Sequence, residues 1–257
     1  MTKEFFIGKA NNTAKKPSKI LVGNSSNIAK EVKSIFVGNS SNQAVKVFPN
    51  FPDIYQKCEY ICNTNGTEYI LLNYAPNSNT RVVIDFQFYN QGFYDYQRFI
   101  ISCGNTWGVN YYYRDYGTNH YREFHCNFKT DTVKKTYSTS ADAALFERHT
   151  VDFNRSGGYF YLDDALIGSS QVTFSSVSTY KICLFGYGTG IADYPSQQKS
   201  KANLYSCKIY QNNQIIYDLV PCYLKADPMV VGMYDIANGQ FYGNNGAGIF
   251  YKGPDVN

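Results

Sequence analysis

The sequence is short of the residues that much enzyme chemistry depends on. Among 257 residues there are one Trp, three Met, three His and six Glu, and charged residues make up only 17%. Glu4, Glu31, Glu59, Glu68, Glu123 and Glu147 are scattered, and no strand carries a Glu-x-Asp-x-Glu pattern that would supply the paired carboxylates of glycoside hydrolysis. His120, His125 and His149 fit no zinc-protease motif. They read as surface or internally satisfied side chains. Gly186, Gly188 and Gly190 alternate without a helix after them, so they read as a loop bend and not as a phosphate cradle. No apolar run approaches the roughly 18 residues that a membrane helix needs. At the start only Phe5 to Ile7 are apolar, too few for a signal-peptide core, so export by the standard secretory route is not expected.

Paired cysteine motifs are missing too. Of seven cysteines (Cys58, Cys62, Cys103, Cys126, Cys183, Cys207 and Cys222) only the first two are close, and no later pair matches them. That excludes an ordinary zinc knuckle and points to reduced, buried thiols in a protein made in a reducing cytoplasm. Asp163 and Asp193 could offer oxygen ligands, but no dense Asp/Asn loop accompanies them. No metal and no cofactor is expected.

Aromatic residues are what the chain has in excess: 25 Tyr and 18 Phe bring the fraction to 17%. Such residues favour strands, and a hydrophobic content of 44% is enough to bury a core. The charge is unevenly placed. Residues 1–49 hold eight Lys against Glu4 and Glu31, a net of +6, whereas residues 50–257 carry −2. The basic part has no Arg, and its Phe residues lie in apolar clusters apart from the lysines. It therefore reads as solvated faces and edge protection, with neither nucleic acid nor membrane as a partner.

The same basic part is a repeat. Residues 5–19 (FFIGKANNTAKKPSK), 20–34 (ILVGNSSNIAKEVKS) and 35–49 (IFVGNSSNQAVKVFP) align without insertion at a period of 15. Gly8, Gly23 and Gly38 coincide, as do Asn12, Asn27 and Asn42. Each unit is a short apolar strand, a Gly/Asn turn and a second extended piece. Units this small cannot bury a core alone, so they imply stacking on one another, on a partner or in a homo-oligomer.

From residue 50 onward the pattern is that of an all-β domain. Arg81 to Tyr89 alternates, with Val82, Ile84, Phe86 and Phe88 on one face. Further strands are expected at 98–103, 108–114, 121–128, 149–154, 158–163, 171–174, 180–187, 203–210 and 214–220. Asp163-Asp164 and 211–214 read as hairpin turns, and 141–147 is the one expected helical turn. This spacing predicts an all-β sandwich of jelly-roll type.

Three segments carry a resemblance: TVDFNRSGGYFYLDDALIGSS (150–170), KANLYSCKIYQNNQIIYDLVPCYL (201–224) and GMYDIANGQFYGNNGAGIFYKGP (232–254). They resemble the concanavalin-like, or laminin-G-like, jelly-roll β-sandwich found in many phage and prophage structural proteins. The VGN repeats are similar to repeats that precede such domains in gut-phage proteins. The resemblance implies a virion component of a tail fibre, baseplate or head appendage. In it, residues 1–49 form a small β-hairpin repeat arm that contacts other virion proteins, and residues 50–257 form the sandwich. By analogy with fibres it also implies a homotrimer.

A lectin-like role would need aromatic faces for sugar rings and polar groups for hydroxyls. The stretches suited to it lie at 91–98, 105–122 and 186–195, and the candidate carbohydrate-binding residues are Tyr94, Tyr96, Trp107, Tyr112, Tyr116, Tyr187, Asp193 and Tyr194. The expected function is therefore host-surface glycan binding without a chemical step. The alternatives are a purely architectural or decorating virion protein and, third, a polysaccharide depolymerase.

Overall fold

The computed structural model describes residues 21–23, 29–31, 35–38, 44–48, 51–64, 66–89, 97–104, 107–116, 119–128, 131–137, 146–155, 158–169, 180–186 and 201–256. The 15-residue repeat reappears in its backbone pairing. Strands β1 (Leu21–Gly23) and β2 (Ala29–Glu31) form one antiparallel hairpin, and β3 (Ile35–Gly38) and β4 (Ala44–Phe48) form the next. Gly23 pairs with Ala29 and Val22 with Lys30; one period later Gly38 pairs with Ala44 and Val37 with Val45. The second and third units thus share one register, broken only by a bulge that pairs Ile35 with Phe48. The first unit lies outside the described residues.

Three short strands follow: β5 (Tyr55–Lys57), β6 (Ile61–Asn63) and β7 (Ile70–Leu71). Next come the longer strands β8 (Thr80–Phe88), β9 (Gln97–Cys103), β10 (Trp107–Tyr116), β11 (Asn119–Phe128) and β12 (Asp131–Tyr137). The chain continues through β13 (His149–Arg155), β14 (Tyr159–Leu162), β15 (Ala165–Ser169) and β16 (Cys183–Leu184). It ends with β17 (Ala202–Gln211), β18 (Gln214–Leu224), β19 (Asp227–Asp235), β20 (Gln240–Tyr242) and β21 (Tyr251–Lys252). No helix occurs among the described residues. The strand expected at 171–174 and most of the helical turn expected at 141–147 lie outside them; Phe146 and Glu147 form a turn and a bend.

These strands make two antiparallel sheets. One has six strands in the order β12-β11-β10-β9-β16-β7. The other has eleven: β15-β14-β13-β8-β17-β18-β19-β20, with β5 on β18, β6 on β17 and β21 on β6. The fold is all-β, and its two sheets share one core, as in a β-sandwich. In β8 the expected alternation places Val82, Ile84, Phe86 and Phe88 inside. Phe124 of β11 meets Phe86 edge-on and stacks on Phe88, each at 5.9 Å between ring centroids, and so joins the two sheets. Trp107 of β10 lies 4.9 Å from Phe153 of β13 and makes a second such contact. All seven cysteines are buried, and none forms a disulfide.

The turns follow local chemistry. Asp163-Asp164 (φ 50° and 63°) and Asn212-Asn213 (φ 50° and 62°) take the left-handed backbone of two-residue hairpin turns, which Asn and Asp tolerate. The Asn-Asn-Gly-Ala-Gly motif is a clip. The Tyr69 N–H donates to Asn244 Oδ1 at 3.1 Å, and the Leu71 N–H donates to Asn245 Oδ1 at 2.8 Å. Asn245 returns its own N–H to the Tyr69 carbonyl at 2.8 Å. Gly246 passes so close to the Thr67 carbonyl oxygen that a Cβ there would collide with it. Side-chain amides thus occupy backbone donors that a neighbouring strand would otherwise take, and glycine lets the segment pass close enough for them to reach.

Candidate functional site

The six-stranded sheet turns Trp107, Val109, Phe124 and Cys126 to the core. By the period of two, Asn110, Glu123 and His125 belong to its other face. β9 contributes through an irregularity: its pairing with β10 slips between Val109 and Asn110. Ile100 and Ile101 both join the core, while Phe99, fully buried but outside that core, becomes the partner of Asn110. A bulge of this kind re-aims side chains. The result is a transverse row across four strands, Phe99–Asn110–His125–Lys134. Beside it runs a second row, Tyr112–Glu123–Thr136.

Glu123 is the electrostatic centre. Its Oε2 lies 2.8 Å from His125 Nε2, and its Oε1 accepts from Lys134 Nζ and Thr136 Oγ1, both at 2.9 Å. The Glu123 and His125 side chains are only 5% and 8% exposed, whereas Lys134 reaches solvent at 53%. Burial by itself raises a carboxyl pKa, but the hydrogen bonds from Lys134, His125 and Thr136 outweigh it and hold Glu123 at about 2. The carboxylate is ionised and occupied. Asn110 is the opposite case: it is fully buried, and neither its Nδ2 nor its Oδ1 has a hydrogen-bond partner. An amide left in that condition costs free energy until something pairs with it.

The outer face of the eleven-stranded sheet is also polar, but its groups answer one another. Arg81 clasps Asp152 at 2.7 and 2.6 Å and covers the Tyr210 ring, and Arg148 clasps Asp85 at 2.9 and 2.8 Å and covers the Tyr205 ring. On the inner side of the same sheet, His149 is buried against Phe124, and its Nδ1 lies 2.7 Å from Asp163 Oδ2. Among the described residues no cluster of three or more His, Cys, Asp or Glu could hold a metal ion.

Of the carbohydrate-binding residues expected from sequence, Trp107 is placed in the core. It is 1% exposed and packed against Phe153, so it offers no open ring to a sugar. The reason is local: Trp107 shares the inward face of β10 with Val109, and that face meets the other sheet. Tyr112 and Tyr116 take their places in β10, paired with Glu123 and Asn119. Tyr94, Tyr96, Tyr187, Asp193 and Tyr194 lie outside the described residues. The structure adds Phe99, Asn110, Glu123 and His125. One signal for two of them stood in the sequence: in Glu-Phe-His-Cys (123–126) polar and apolar residues alternate, which puts Glu123 and His125 together on one face. Nothing in the sequence marked Phe99 or Asn110. Comparison with models of known protein families gives no match for this sequence, and comparison with curated proteins gives none either.

Proposed function

We propose that this chain is a bacteriophage virion structural protein, of a tail fibre, baseplate or head appendage, that displays a lectin-like domain for host-surface glycans. On this reading residues 1–49 attach it to other virion proteins and assemble it as a trimer. Residues 50–257 form a concanavalin-like jelly roll. The virion setting is supported by the resemblance of the repeats and of the sandwich segments. The two antiparallel sheets with their shared core support the sandwich. The binding role is carried by one observation: a buried amide, Asn110, with both of its hydrogen-bonding groups unmet on a polar sheet face.

The same face speaks for binding and against hydrolysis. A general acid for glycoside cleavage needs a raised pKa, and Glu123 is held at about 2 with both oxygens engaged. Copies joined through the repeats would turn weak sugar affinity into useful adhesion. The alternative, a purely architectural role, is favoured by the complete burial of Phe99 and Asn110, as on a face that only packs.

The test is binding of the labelled full-length chain to host cells and to their extracted surface polysaccharides. Saturable binding competed by one polysaccharide is expected. No binding, with loss of particle assembly when residues 50–257 are deleted, would establish the architectural role; release of reducing ends would establish a depolymerase.

A further inference from the structure

The place where the repeat arm meets the sandwich carries a more specific reading, which rests on the assembly of copies through the arm proposed above. β4 ends at Phe48, and only Pro49 and Asn50 separate it from Phe51. Phe51 is seated on the sandwich: its ring lies 5.2 Å from that of Tyr234 and 6.4 Å from that of Tyr55, and Lys57 Nζ is 5.0 Å from its centre. Three steps of trans backbone span at most about 11 Å, so the arm is tied close to this end of the eleven-stranded sheet.

The same end presents apolar residues to solvent. In the turn after Phe51 the Tyr55 N–H donates to the Pro52 carbonyl at 3.1 Å, and Ile54 inside that turn is 59% exposed. The Ile54 carbonyl accepts from the Lys225 N–H at 2.9 Å, which fastens the turn to the hairpin between β18 and β19. In that hairpin Leu224 pairs with Asp227 but Tyr223 with Val231, so Pro228, Met229 and Val230 bulge from the ladder. Asp227 Oδ1 holds the bulge by accepting from the Met229 N–H at 3.1 Å. Met229 is 61% exposed and Val230 39%, and neither belongs to the core, so the fold of one chain gives no reason for apolar residues here. Asp53, Lys225 and Asp227 are exposed around them. An apolar centre with a rim of both charge signs is how an interface is built, and it suits a surface that meets a copy of itself.

Size and tether fix the occupant. Four residues fall far short of the roughly 800 Å² per partner of a free-standing interface, so the patch suits a contact between surfaces already held together. The short tether to the arm holds them: arms that assemble bring this end of every sandwich to one place. We propose that Ile54, Pro228, Met229 and Val230 form the contact between the sandwich domains of neighbouring copies, beside the root of the assembled arms.

The cysteines make the test clean. All seven are buried, so a cysteine placed on the surface is the thiol that a reagent meets first. Met229→Cys is compared with Leu166→Cys, whose site is 54% exposed on β15, six strands away in the sheet order or roughly 29 Å at the usual spacing. The full-length variants are sized by light scattering and treated with a short bismaleimide. The expected result is an oligomer in which Met229→Cys cross-links between chains about tenfold faster than Leu166→Cys or more, as a tethered contact requires. Adding Ile54→Lys and Val230→Lys to Met229→Cys should bring its rate down to that of Leu166→Cys while the oligomer persists. Equal rates at the two sites in an oligomer overturn the contact and leave assembly through the arm standing. A rate that Ile54→Lys and Val230→Lys do not change overturns it in the same way. A monomeric chain overturns both readings. Should the lysine variant not fold, the comparison of Met229→Cys with Leu166→Cys still decides the matter.

Discussion

At the residue scale, Glu123 is a carboxyl whose environment departs far from that of an ordinary exposed side chain. It titrates at about 2 in the fold against 4.5 for an unperturbed carboxyl, because the hydrogen bonds of Lys134, His125 and Thr136 overcome the cost of burial. The sign of the effect on stability follows. A depressed carboxyl stabilises the fold fully above about pH 4.5, loses that contribution as the pH falls, and has none left below about 2. Glu123→Gln should therefore lower the urea midpoint most near neutral pH, and the gap from the parent should narrow between these two values. A gap that stays constant from pH 7 to pH 2 would show that the hydrogen bonds to Glu123 do not depend on its charge. Trp107 shows how a single residue can look functional without being exposed. Its aromatic ring, in a stretch suited to stacking on sugars, drew it into the candidate set, but its indole fills the space between the sheets, where such a ring contributes most by burial.

At the scale of elements, the sequence pattern was most readable where a strand has one wet and one dry face. β8, β10, β11, β13, β17 and β18 all overlap the spans expected from alternation and turn residues, and both two-residue hairpin turns fall where Asp-Asp and Asn-Asn stand. β12 and β19 were not foreseen. β12 (DTVKKTY) has few apolar residues because it lies at the edge of its sheet, and β19 begins with an exposed Asp-Pro-Met-Val stretch before its buried half. The Asn-Asn-Gly-Ala-Gly segment is an element in its own right, and it makes a prediction. Gly246→Ala places a methyl group against the Thr67 carbonyl and should cost about 1–3 kcal/mol, as overpacking does. Hydrogen exchange at the Tyr69 and Leu71 amides should speed up in the variant, because those N–H groups depend on Asn244 and Asn245. Unchanged exchange there would mean that the clip does not hold this edge.

At the scale of the whole molecule, stability depends on the two sheets meeting. Phe124 touches Phe86 and Phe88 across that interface, so Phe124→Ala should destabilise by about 3–5 kcal/mol, the usual cost of deleting a buried aromatic ring. The single tryptophan is a built-in reporter, since Trp107 sits in the six-stranded sheet and packs on Phe153 of the other. Its fluorescence and the far-ultraviolet signal should shift to lower urea together in Phe124→Ala; separate transitions would show that the sheets unfold independently. By itself the sequence determined what repeats locally. The period of two names strands and their two faces, Asn, Asp and Gly name the turns, and the 15-residue repeat reappears as hairpins in one register. Only the tertiary structure decided which face of β10 is inside and that a slip at Val109/Asn110 pairs Phe99 with Asn110. It alone decided that Lys134 and Thr136 of a separate strand converge on Glu123. The physical reason is that alternation is a property of one chain segment. Register, sheet order and the partner of a buried polar group depend on contacts between distant segments, and these exist only when the whole chain folds.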